Sequence, residues 1–133
     1  MSLTNKILID ADGVIAILKK DDSNHEKSLK IDLKIRDYKK YITNLVFAEV
    51  ANVLSIKEGQ NFAKQSIKDL YSSEVEIIFI DEYLLRKTVE VFAKQSKKGT
   101  SFVDCANLVV MQEHGIAKIF SFDSFYKGKR FTA

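Results

Sequence analysis

The chain has 133 residues, the size of one ordinary domain with one core. Hydrophobic residues at 46% and charged residues at 29% exclude a disordered chain, and no apolar run approaches the roughly 20 residues of a membrane span. One cysteine excludes an internal disulfide, one Cys with two His is too few for a zinc site, and a net charge of +3 is compatible with a nucleic-acid partner without requiring one.

Lys6 is followed by only three apolar residues before Asp10, so no secretory leader is expected and a cytoplasmic protein is. Ile7–Asp10 reads as the first strand, and Ala11–Lys20, apolar on one side, as a helix. Asp22–Lys39 is strongly charged; the pattern predicts a helix, although Leu29, Ile31, Leu33 and Ile35 also alternate as in a strand. Tyr41–Thr43 reads as a short strand. Asn44 is the expected cap of a helix running to about Glu58 and ended by Gly59.

Asn61–Ser72 predicts another helix and Val75–Ile80 ("VEIIFI") a buried strand. Asp81 and Glu82 open a helix to about Ser96, as dipole-favoured acids at a helix start. Lys97–Thr100 is a basic loop, Ser101–His114 an apolar helix stopped by Gly115, and Lys118–Phe122 a strand ending in Asp123. The segments "FAKQSIK" (62–68) and "FAKQSKK" (92–98) are alike, but nothing around them repeats. Strands alternating with helices, without proline or a Gly/Ser linker, predict one α/β domain over residues 1–133 with a mainly parallel, helix-covered sheet.

In such a sheet the carboxyl ends of the strands share one edge with the amino ends of the following helices, and ligands bind there. Asp10 and Asp123 each end a strand, Asp104 lies in the first turn of its helix, and Glu49 lies under two turns into the helix after "YIT". Asp10 and Asp123 also suit helix caps, and Ser101-Phe102-Val103-Asp104 has the spacing of a capping box with Asp in place of Glu. Glu49 resists that reading. Its helix, Leu45 to Leu54, is apolar almost all round, so it is expected to be largely buried, and no Lys or Arg lies within a turn to pair with the carboxylate. Asp104 has similar apolar company. A shared divalent cation would satisfy both, and with so little Cys and His its ligands would be oxygens, which favours Mg²⁺ or Mn²⁺.

The chain resembles the PIN-domain family and, by its size, the VapC-type ribonuclease toxins of prokaryotic toxin–antitoxin pairs. The resemblance rests on "LIDADGVIAIL" with Asp10, "TNLVFAEVANVL" with Glu49, "SFVDCANLVVM" with Asp104 and "IFSFDSFY" with Asp123, and covers nearly the full length. It implies a three-layer fold with four or five strands. It also implies a Mg²⁺- or Mn²⁺-dependent endoribonuclease with Asp10, Glu49, Asp104 and Asp123 as metal ligands and catalytic residues, a homodimer, and a cognate antitoxin. The family usually places Asn, Ser or Thr two residues after the first Asp. Here Asp12 stands there, either as a fifth acid near the metal or as a simple helix start, and the latter is favoured.

Thr43 and Ser101 are candidates to orient a carboxylate or the phosphate; Lys97, Lys98, Lys127, Lys129 and Arg130 are candidates to contact RNA, against an ordinary solvated surface. Leu29 and Leu33, with Phe62, Ile67 and Leu70, would form a dimer or antitoxin surface or, more commonly, core. Three alternatives stand beside the toxin. One is a PIN-like RNA-processing nuclease without a toxin role; another is a protein-binding module with little catalysis. The third is an aspartyl-phosphate phosphatase using "DADGV", but "VEIIFI" ends in Asp81 rather than a Lys and no Gly-Asp follows, so its remaining motifs are missing.

Overall fold

The computed structural model describes residues 5–132. In chain order they form β1 (Lys6–Ile9), α1 (Ala11–Leu18), α2 (His25–Lys34), β2 (Lys39–Thr43), α3 (Asn44–Glu58), α4 (Gln60–Ser72), β3 (Glu76–Ile78), α5 (Glu82–Ala93), α6 (Phe102–His114) and β4 (Lys118–Phe120), then a 3₁₀ turn, Ser124–Tyr126. The strands make one parallel sheet in the order β3-β2-β1-β4. Leu8 is in register with Tyr41 on one side and Ile119 on the other.

Side chains alternate across a strand, so β1 feeds two cores. Ile7 and Ile9 join Ile42 and Phe120 beneath α1, α2 and α3, with Val14, Ile31, Val46 and Val50. Leu8 joins Tyr41 and Ile119 on the opposite face, beneath α5 and α6, with Leu84, Val109 and Val110. This is the expected three-layer fold with four strands. Cys105 is free and buried, and among the described residues no helix is long and apolar enough to cross a membrane.

Several elements differ from their sequence reading for local reasons. The cap of α3 is Thr43, whose Oγ1 accepts from the Val46 amide at 3.1 Å. Asn44 is the first helical residue, and its Oδ1 accepts from the Ile80 amide at 2.7 Å, tying α3 to the end of β3. The α3 helix is not largely buried: Val46, Val50 and Leu54 form its only fully buried row, whereas Ala48, Asn52 and Ile56 face outward. β3 is an edge strand, partly exposed, with Phe79 beyond it 66% exposed. Asp22–Lys39 shortens to α2, followed by turns. The two "FAKQS" segments have unlike structures, the first inside α4 and the second running off the end of α5 into the loop.

The chain steps outward from β1 to β2 and β3, then returns to the other side of β1 as β4. That reversal opens a crevice beyond the carboxyl ends of β1 and β4, where ligands bind in such sheets. Gly13 lets α1 pack closely on β4: a Cβ there would stand 2.9 Å from both the Phe120 carbonyl oxygen and its ring.

Candidate active site

Asp10 leaves β1 into the crevice and is 5% exposed. Its Oδ1 accepts from the Ala11 amide at 2.8 Å and from Asn107 Nδ2 at 3.1 Å, and its Oδ2 accepts from Ser121 Oγ at 3.0 Å. Asp10 therefore caps α1 and also belongs to a buried polar network. Asn107 Nδ2 also donates to the Tyr126 hydroxyl at 3.0 Å, and that hydroxyl donates to Asp104 Oδ1 at 2.7 Å. Two carboxylates from β1 and α6 are thus wired together by an amide and a phenol.

Ser101 caps α6 as expected, accepting from the Asp104 amide at 3.2 Å. The reciprocal half of a capping box is absent because the Asp104 carboxylate turns to Tyr126 instead. Thr43 likewise uses its oxygen on a helix cap. Neither hydroxyl touches a carboxylate.

Burial pushes the Asp10 carboxyl up to about 6, and the charges of Asp12 and Glu49 add to it. Asp104 also rises to about 6, chiefly through burial; the Tyr126 bond opposes the rise, and Asp10, Asp123 and Glu49 reinforce it. Burial raises Glu49 as well. The Tyr126 hydroxyl is driven far above its usual range by burial and by the Asp10 charge, so it stays a donor. Among the described residues no Lys, Arg or His forms a salt bridge with any of these acids.

Glu49 is half-buried on α3, and Asp123 is exposed, where its Oδ1 caps the 3₁₀ turn through the Phe125 amide at 2.9 Å. Both act on the buried pair through charge, not contact. Among the described residues no three acidic, histidine or cysteine side chains are gathered closely enough to enclose an ion. The chemistry of the donor set still fits a hard divalent cation: oxygens only, two of the acids buried, with no cation beside them.

Asp12 does more than start α1. Its Oδ2 accepts from the Phe122 amide at 3.0 Å and lies 3.3 Å from Ser121 Oγ, clasping α1 to the segment after β4, and its Oδ1 is buried without a partner. Burial raises its carboxyl too.

The basic candidates divide. Lys97, Lys98 and Lys127 are exposed on loops, and Arg130 Nη1 donates to the Phe122 carbonyl at 3.2 Å, near the crevice. Lys129 lies beside Ile116 and Ala117 at the amino end of β4, off the carboxyl edge. Asn107, Ser121 and Tyr126 escaped the sequence reading. Asn107 had a signal: a polar residue three positions after Asp104 in an apolar helix. Ser121, polar within "IFSF", had a weaker one.

A family model described as PIN domain matches residues 7–129. No curated protein matches the sequence. Among solved structures, the VapC20 toxin of Mycobacterium tuberculosis, described as cleaving the sarcin–ricin loop, superposes with a TM-score of 0.84 at 20% identity, over 96% of this chain and 97% of that one. VapBC2 of Rickettsia felis, bound to a DNA fragment from its promoter, gives 0.66 at 15% identity over 92% of each chain. A toxin–antitoxin complex from Klebsiella pneumoniae gives 0.62 at 13% identity, over 96% of this chain and 97% of that one.

Proposed function

The chain belongs to the PIN domain family, and from that premise we propose that it is a metal-dependent endoribonuclease, one PIN-like domain acting as the toxin of a toxin–antitoxin pair. The observation that carries the reading is the buried Asp10–Asn107–Tyr126–Asp104 network, in which two carboxylates face one crevice with no cation beside them. The phosphatase alternative falls with the family, and its first motif is absorbed otherwise: Asp10 is held by three donors and Asp12 is a clasp to Phe122.

Asp10 and Asp104 would be the principal ligands of Mg²⁺ or Mn²⁺, with Glu49 and Asp123 as the further carboxylates of the site. Such an ion, when bound, would supply Lewis acidity for phosphodiester hydrolysis. The protein's own part is positional. Ser121 and Asn107 fix both oxygens of Asp10, and Tyr126 fixes one oxygen of Asp104 and leaves the other to the crevice. Burial, reinforced by the neighbouring acids, holds Asp10 and Asp104 near 6, and positive charge entering the site would favour their ionised forms. The expected reaction is in-line hydrolysis of RNA to 5′-phosphate and 3′-hydroxyl ends. Lys97, Lys98, Lys127 and Arg130 supply cationic surface for the substrate. The test is cleavage of RNA by purified protein with Mg²⁺ or Mn²⁺ against the same protein in excess EDTA; equal cleavage in both sinks the mechanism.

Partners of two kinds are proposed, a cognate antitoxin and a second copy of the chain. The exposed apolar side chains support them: Leu29 and Leu33 of α2 are 46% and 65% exposed, and Leu85, Val89 and Phe92 lie at helical spacing along α5. Core packing therefore does not account for Leu29 and Leu33, although Ile67 and Leu70 do pack against the core. Sedimentation at tens of micromolar should show a dimer, and a monomer alone removes that part of the proposal. A small open reading frame directly upstream would support the antitoxin.

A further inference from the structure

Next to the carboxylate crevice opens a second cavity of about 240 Å³. One wall is α2, where Lys27, Lys30 and Ile31 share a face by their i, i+3, i+4 spacing. Ile31 is buried and anchors that face, and the two lysines are exposed. The other wall is Phe122, Arg130 and Phe131. Among the described residues Lys27, Lys30 and Arg130 form no salt bridge, so three positive charges face one recess unmatched.

The recess is built in advance. The Phe122 carbonyl accepts from Arg130 Nη1 at 3.2 Å, and its amide donates to Asp12 at 3.0 Å. The Phe122 ring packs edge-on against Phe120 at 5.9 Å between centroids, and the Phe131 ring against Tyr38 at 5.8 Å. Ser121 lines the same cavity and donates to Asp10 Oδ2, so a single side chain separates it from the carboxylates.

We propose that this cavity is a nucleotide subsite, holding one nucleotide of single-stranded RNA beside the scissile bond. Lys27, Lys30 and Arg130 take its phosphate, and Phe122 and Phe131 take its base. Unmatched cations beside fixed aromatic rings are what single-stranded nucleic acid requires, because every base has a face to stack and every link a phosphate to neutralise. An acidic peptide would satisfy the cations but leave the paired rings and the nearness to Asp10 without a role. The inference rests on the nuclease reading, which fixes where the scissile bond lies.

The test uses the double variant Lys27→Ala/Lys30→Ala, both side chains being exposed. Hydrolysis of bis(p-nitrophenyl) phosphate, a diester with no neighbouring nucleotide, should be unchanged, whereas kcat/KM on an RNA oligonucleotide should fall about tenfold or more. Binding of the same RNA is measured in an Asp104→Asn background, where no turnover is needed. There the double change should reduce the slope of log affinity against log salt by up to about 0.7, the contribution of one neutralised phosphate on a single strand. Phe131→Leu should weaken binding with the salt slope intact, which separates stacking from charge. Unchanged affinity and slope in the double variant overturn the subsite and leave the nuclease reading standing. Loss of RNA binding in the double variant, with a wild type that hydrolyses neither substrate, upholds RNA binding in this cavity but overturns the nuclease reading and with it the placement beside a scissile bond. Full affinity in Phe131→Leu overturns the base contact.

Discussion

The Tyr126 hydroxyl donates to Asp104 Oδ1 at 2.7 Å and takes a hydrogen bond from Asn107 at 3.0 Å, with the ring fully buried. Tyr126 is therefore a positioning residue, holding one Asp104 oxygen and restraining the amide that also holds Asp10. Tyr126→Phe keeps the ring packing and removes the hydroxyl. A buried partner left unsatisfied costs roughly 1–3 kcal/mol, a fall in melting temperature of a few degrees or more for a domain of this size. The bond opposes the burial-driven rise of the Asp104 carboxyl, so its loss should move the acid limb of the cleavage profile to higher pH. A melting drop without that movement would leave Tyr126 a purely structural residue.

Asp10 and Asp12 predict opposite responses to the same change. Asp10→Asn keeps an oxygen for the Ala11 and Asn107 donors, and Asn caps a helix about as well as Asp. Metal-free stability should hold or rise as one like charge leaves, while RNA cleavage falls by orders of magnitude and the melting gain from saturating Mg²⁺ shrinks. Asp12→Asn keeps an acceptor for the Phe122 amide, so its effect on cleavage should be mild. Cleavage assays and melting with and without Mg²⁺ check both; a fully active Asp10→Asn protein refutes the metal site.

The acids of the site were legible in different degrees. Asp10 and Asp104 stood out because each breaks an apolar run, and burial of both follows from those neighbours. The sheet was legible for the same reason: Ile7, Leu8 and Ile9 serve two cores, so β1 reads as continuous apolar sequence. The burial around Glu49 is less than its apolar helix suggests, because α3 turns Ala48 and Ile56 to the surface. "VEIIFI" misled in the same way, since an edge strand left Phe79 exposed. The wiring itself was not legible: Asn107 reaches Asp10 across 97 residues and Tyr126 reaches Asp104 across 22, distances at which no local pattern speaks.

Gly13 is required by packing, not by a special backbone angle. An added Cβ would meet the Phe120 carbonyl oxygen and ring at 2.9 Å each, and a backbone oxygen cannot rotate away. Gly13→Ala should cost about 1–3 kcal/mol through forced displacement of α1 from β4, seen as a lower denaturation midpoint at unchanged slope. Asp10 and Asp12 flank this contact, so cleavage should fall with stability. A variant as stable as the parent would show that α1 shifts freely.

The raised carboxyls of Asp10 and Asp104 contribute to the pH dependence of the metal-free protein, in the same direction as those of Asp12 and Glu49. Those of Asp10 and Asp104 are each about 6 in the folded chain against an ordinary value of 3.8. Between those values the folded state binds more protons than the unfolded state, so stability falls as pH rises through that window. Below about 4 both groups are protonated in either state and the penalty vanishes; above about 6 it is present in full. In EDTA these two acids should make the protein easier to unfold at pH 7 than at pH 5. On the proposed metal site Mg²⁺ would bind the ionised forms, so its stabilisation should be largest near pH 7 and fade toward pH 5. Denaturant midpoints at the two pH values, with EDTA and with Mg²⁺, check this. Asp10→Asn supplies the internal control: it removes one of the two titrating groups, so the pH 5 to pH 7 loss in EDTA should shrink. If the loss persists undiminished in Asp10→Asn, it arises elsewhere in the chain and the buried-carboxylate account of this site fails.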